Sequence, residues 1–93
     1  MTKREDVYKA IDSERDYQQQ CWNAATTSTA GQHSVPEWLL YMRQYLDEAI
    51  AHVSHHAEPY ASEDVLETVR KVTAMGVSCM EQHGAPLRAP SKP

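Results

Sequence analysis

The chain has 93 residues, enough for one small domain, and a net charge of -4. A general nucleic-acid binder needs a basic footprint, so that class is excluded; a small anion held by a local Arg and Lys cluster is not. No apolar run reaches membrane-spanning length, and residues 1–6 are charged with no apolar core, so neither a membrane span nor a secretory signal is expected.

A first helix is predicted over about residues 3–22. Val7, Ile11, Glu14, Gln18 and Cys21 share one face at steps of three and four. That face starts apolar and turns polar; a core helix of average design would carry leucine in place of Glu14 and Gln18. Residues 23–33, rich in Ala, Thr, Ser and Gly, have no periodicity. They read as a flexible loop, either a plain linker or a mobile flap over a ligand.

The second helix, about 34–56, opens on a capping box, with Ser34 as N-cap and Glu37 reaching back. Pro36 is tolerated in a first turn because its missing N–H has no partner there. Leu39, Met42, Leu46, Ala49, Ile50 and Val53 make a core stripe, with Tyr41, Tyr45, Glu48 and His52 beside it. Residues 58–61 form a turn. Ser62 caps a third helix over 62–83, with Glu63 and Asp64 suited to its positive end. Its stripe is Val65, Leu66, Val69, Val72, Gly76, Cys79 and Met80. Gly84 and Pro86 end it. Residues 1–84 are therefore read as one helical domain and 85–93 as a flexible tail.

The expected fold is all-α: a three-helix antiparallel protomer, its open apolar face completed into a bundle by oligomerisation. Expected core positions are Ile11, Leu39, Met42, Leu46, Ile50, Leu66, Val69 and Val72. The expected location is cytoplasmic, with Cys21 and Cys79 reduced, although a bridge between them stays possible in principle.

His52 and His56 are four apart and can reach one ion from one face, or they can simply complement the negative pole of a helix end. Glu14, Glu48 and Glu67 can converge on Mg²⁺, or enter ordinary ion pairs, Glu67 with Lys71 one turn on. Nothing supports nucleophilic catalysis or a glycine-rich phosphate loop; Gly31, Gly76 and Gly84 are isolated. Trp22, Trp38, Tyr41 and Tyr45 gather around the loop and second helix. They either sandwich a nucleobase or build the core of a chain without Phe.

Glu14-Arg15-x-x-Gln18, then Trp22, His33, Trp38-Leu39 and Glu48-Ala49 together resemble a phage-type branch of the MazG-like all-α nucleoside triphosphate pyrophosphohydrolases. The run from Val69 to Glu81 is similar to that branch as well. The resemblance spans roughly residues 8–84. It implies helical protomers that dimerise or tetramerise, cutting nucleoside triphosphates between the α and β phosphates. It also implies a Mg²⁺ site built from Glu-Glu-x-x-Glu on one helix and Glu-x-x-Asp on the next. Of those positions only Glu48 and Glu67 match; Gln44, Tyr45 and Arg70 depart.

Neutral and cationic groups cannot replace anions around Mg²⁺, so little or no hydrolysis is expected. An Arg in the place of a metal ligand can bind phosphate directly. The expectation is a catalytically degenerate protein that sequesters a nucleotide-type anion or nucleotide-derived immune signal, without a cofactor. Its expected ligand-binding residues are Arg70, Lys71, Arg43, Arg15, Trp22, Trp38, Tyr41, Tyr45, Glu48 and Glu67. On that reading Arg70→Ala weakens binding while leaving the helical spectrum intact. The alternative is a Mg²⁺-dependent pyrophosphohydrolase using Glu14, Glu48 and Glu67.

Overall fold

The structure, a computed structural model, describes residues 1–54 and 63–90. It is all-helical: α1 spans Arg4–Cys21, α2 Val35–Ser54 and α3 Glu63–His83, with no strand among the described residues. No described helix is long and apolar enough to cross a membrane. The expected turn at 58–61, the Ser62 cap, and His55 and His56 lie outside the described residues. So does the end of the tail.

The start of α2 follows from its capping box. The Ser34 N–H donates to Glu37 Oε1 at 2.9 Å and the Glu37 N–H to Ser34 Oγ at 3.3 Å. The bonds from Ser34, backbone first, hold the Glu37 carboxyl below its ordinary value. A depressed carboxylate stabilises the fold fully above its unfolded pKa and stops doing so as pH falls through its folded one. The parent is therefore expected to melt above Glu37→Ala at neutral pH, with the gap closing once the carboxylate titrates in acid. Thermal melts of both across that range are the check; a constant gap would show the carboxylate charge to be irrelevant.

Helix α3 is the centre of the molecule. It packs against both α1 and α2, whereas α1 and α2 never come within 8 Å of each other between Cα atoms. Trp38 meets Gln82, Met42 approaches Gly76 and Tyr45 meets Lys71, so α2 and α3 run antiparallel. Because α1 and α2 stand apart on one support, an open trough lies between them.

This arrangement corrects the expected core. Val72 is buried, and Ile11 and Met42 are half-buried. Leu39, Leu46, Ile50, Leu66 and Val69 are exposed, Leu66 at 68%. Leu46, Ile50 and Val69 line a groove between α2 and α3 to which α1 contributes no residue. The buried apolar core is instead Trp38, Val72, Ala74 and Met75. The buried residues of α1 are the two polar ones, Glu14 and Gln18.

The segment after α1 is tied down rather than loose. Asn23 Nδ2 donates to the carbonyls of Gln19 and Gln20, Asn23 Oδ1 accepts from the Ala25 N–H, and Thr27 Oγ1 accepts from the Gly31 N–H. Gly31 has φ +75°, and a Cβ there would lie 2.5 Å from the Trp22 carbonyl oxygen, so only glycine fits. Cys21 and Cys79 are free thiols, not a bridge.

Candidate functional site

Three hollows share walls along the trough. The largest, about 670 Å³, has α3 as its floor (Glu67, Thr68, Arg70, Lys71). One wall is α1, with Ser13, Glu14 and Tyr17; the other is α2, with Tyr45 and Glu48. The second hollow, about 280 Å³, is lined by Trp22, Trp38, Tyr41, Tyr45 and His33, with Gly31, Thr27, Thr29 and Met75. Tyr45 lines both, so the aromatic pocket and the charged cleft adjoin at its ring. The third, about 360 Å³, is polar and shares Trp22, Trp38 and Gly31 with the aromatic pocket. These volumes suit small organic ligands.

Arg70 sits on α3 facing α1. Its Nε donates to Glu14 Oε1 at 2.8 Å, with the Glu14 side chain 8% exposed and the Arg70 side chain 40% exposed. The expected anion-binding arginine thus already has a carboxylate partner within its own chain. A guanidinium carries five N–H donors, so the Nη donors remain for a second acceptor at the cleft. Lys71 does not pair with Glu67. Its ammonium lies 4.5 Å from the centroid of the Tyr45 ring, a cation–π contact at the junction of cleft and pocket. Cys21 holds the Tyr17 phenol above its ordinary value, by hydrogen bonding first and by charge second.

The aromatic pocket is built around His33. Its ring meets Trp38 and Tyr41 edge-on, each with centroids 5.0 Å apart. Gln82, near the end of α3, fixes this corner. Its Oε1 accepts from Trp38 Nε1 at 2.9 Å and from the His33 N–H at 3.1 Å, while its Nε2 donates to the Gly31 carbonyl at 2.8 Å.

Of the residues expected at a ligand site, Arg70, Lys71, Tyr45, Glu48 and Glu67 line the cleft. Trp22, Trp38, Tyr41 and again Tyr45 line the aromatic pocket. Arg15 faces the polar cavity, where Glu81 holds it at 2.7 Å. Arg43 lines none of these hollows; it is exposed and lies 3.5 Å from Asp47, one helical turn away. Sequence reasoning missed Gln82, Tyr17 and Ser13. It named Glu14 as a candidate Mg²⁺ carboxylate, and it flagged Glu14 and Gln18 as polar residues on a face that should be apolar; that oddity was the available signal for their burial.

Glu14, Glu48 and Glu67 all line the cleft, but no three His, Cys, Asp or Glu side chains among the described residues cluster closely enough to hold a metal ion. His52 and His56 cannot be judged as a pair, because His56 lies outside the described residues.

Comparison with protein-family models, curated proteins and solved structures gave no match.

Proposed function

We propose that this protein binds a nucleotide-type small molecule across the cleft and aromatic pocket and holds it without cleaving it. The observation that carries the reading is the junction at Tyr45, where a pocket walled by Trp22, Trp38 and Tyr41 meets a cleft bearing Arg70 and Lys71. A base stacks on rings of any aromatic type. A phosphate takes the Nη donors of Arg70 and the Lys71 ammonium by charge-assisted bonds. The resemblance to MazG-like pyrophosphohydrolases points to the same ligand class, and the departures at Gln44, Tyr45 and Arg70 point to capture without turnover. Sequestration of a nucleotide signal follows as the role of such a protein.

A second reading, Mg²⁺-dependent pyrophosphohydrolysis, is favoured by the three carboxylates on the cleft walls. Calorimetry against nucleoside triphosphates and cyclic dinucleotides, run beside a pyrophosphate-release assay with Mg²⁺, separates the two. Binding without release supports capture. Release that Glu48→Gln abolishes replaces capture by catalysis, and no binding by any compound ends both readings.

Self-association belongs to the same proposal. Leu46, Ala49, Ile50, Val53, Val65 and Val69 line an apolar groove of about 340 Å³ on the side of α2 and α3 away from α1. Burying such surface against a second copy is favourable at roughly 25 cal/mol per Å². Light scattering over a concentration series should give a mass above the monomer; a monomer at all concentrations would remove this part.

A further inference from the structure

We infer that Gln18 reads a hydrogen-bond donor on the base of the bound nucleotide, which narrows the ligand to nucleotides whose base carries an amino group. The inference rests on the nucleotide-binding reading above. Gln18 lies on α1 at 1% exposure, against α3. Its Nε2 donates to the Lys71 carbonyl oxygen at 3.1 Å. A carbonyl only accepts, so this bond fixes the amide, with nitrogen toward Lys71 and oxygen away from it. Gln18 Oε1 is then a buried acceptor that no donor among the described residues reaches.

Buried acceptors without a donor are disfavoured, and a leucine on this face of α1 would avoid the problem. The glutamine therefore needs a reason, and its surroundings supply one. Gln18 lines the polar cavity whose walls include Trp22 and Trp38, the same rings that wall the aromatic pocket. A base stacked between those rings presents its edge to this cavity. An acceptor there takes an N–H, and an exocyclic amine offers one. Arg15 lines the cavity too, but its Nε and Nη2 are turned to Glu81 and Gln19, and none of its donors bonds Gln18 Oε1.

The test uses matched probes that differ in the amine. Calorimetry compares adenosine triphosphate with purine riboside triphosphate, and cytidine triphosphate with pyrimidin-2-one riboside triphosphate, on the parent and on Gln18→Leu. Ligand-free melting curves of both proteins accompany it. The parent should prefer one amino-bearing partner by about tenfold to a hundredfold, the worth of one buried hydrogen bond. Gln18→Leu should erase that preference and melt close to the parent, because the unpaired buried acceptor it removes offsets the lost bond to the Lys71 carbonyl. Equal binding within each pair by the parent overturns the base-reading role and leaves nucleotide binding standing. A Gln18→Leu protein that keeps the preference but melts lower shows the amide to be structural and also overturns it. A parent that binds none of the four triphosphates removes the nucleotide reading itself.

Discussion

Arg70→Ala is expected to lower stability by about 1–3 kcal/mol and to weaken nucleotide binding by roughly tenfold to a hundredfold. The stability loss arises because Glu14, with its side chain 8% exposed, loses the guanidinium 2.8 Å away. Breaking a fully buried pair costs about 3–5 kcal/mol, but the Arg70 side chain is 40% exposed, and solvent screening reduces the figure. The expectation drawn from sequence, weaker binding with the helical spectrum intact, did not include this cost, because it gave Arg70 no carboxylate partner. The two effects separate in the double variant Glu14→Gln/Arg70→Ala. Neutralising Glu14 removes the stranded charge, so denaturant unfolding should recover much of the lost stability while calorimetry still shows weak binding. Recovery of both would mean that Arg70 acts only by holding Glu14. Full affinity in Arg70→Ala itself would remove the arginine from the ligand site.

The helices were legible because their signals are local. The capping box at Ser34 and Glu37 needs four consecutive residues, and both of its hydrogen bonds form. Gly84 ends α3 at φ +120° with its N–H on the Met80 carbonyl, as a C-terminal glycine should. What the stripes could not tell was which helix lies in the middle. The apolar rows of α2 and α3 mark surface that wants cover, and a single protomer leaves much of it exposed because α1 packs on another face.

The candidate site was legible in its residue types more than in its pairings. Aromatic rings from the loop and α2 do gather in one pocket. Arg70 and Glu14, by contrast, are 56 residues apart, and nothing in spacing pairs them. Arg43 could have been placed from sequence, since Asp47 sits at the i,i+4 position that usually captures an exposed arginine. Glu14 and Gln18 carried the strongest unread signal. Polar residues at core spacing mark either a helix facing solvent or a buried polar seam, and here they form the seam on α3.

Gln82→Ala should cost about 2–4 kcal/mol of stability. One side chain makes three hydrogen bonds, to the Trp38 indole N–H, the His33 backbone N–H and the Gly31 carbonyl. Each contributes about 1 kcal/mol net, and the indole N–H of a Trp only 2% exposed would be left without its acceptor. The damage should be local as well as global. Thr27, Thr29, Gly31 and His33 form one side of the aromatic pocket, and Gln82 fastens Gly31 and His33 to α3, with the His83 ring nitrogen Nε2 2.6 Å from the His33 carbonyl oxygen as a second tie. Amide hydrogen exchange over residues 23–33 should therefore quicken more than exchange in the middle of α3, and nucleotide affinity should fall with it. Gln82→Glu keeps the acceptor for Trp38 and His33 and loses the donor to Gly31, so it should fall between parent and alanine variant. If Gln82→Ala unfolds at the parent's denaturant concentration and the exchange of 23–33 is unchanged, the segment is held by its own Asn23 and Thr27 bonds and by His83, and Gln82 is a bystander.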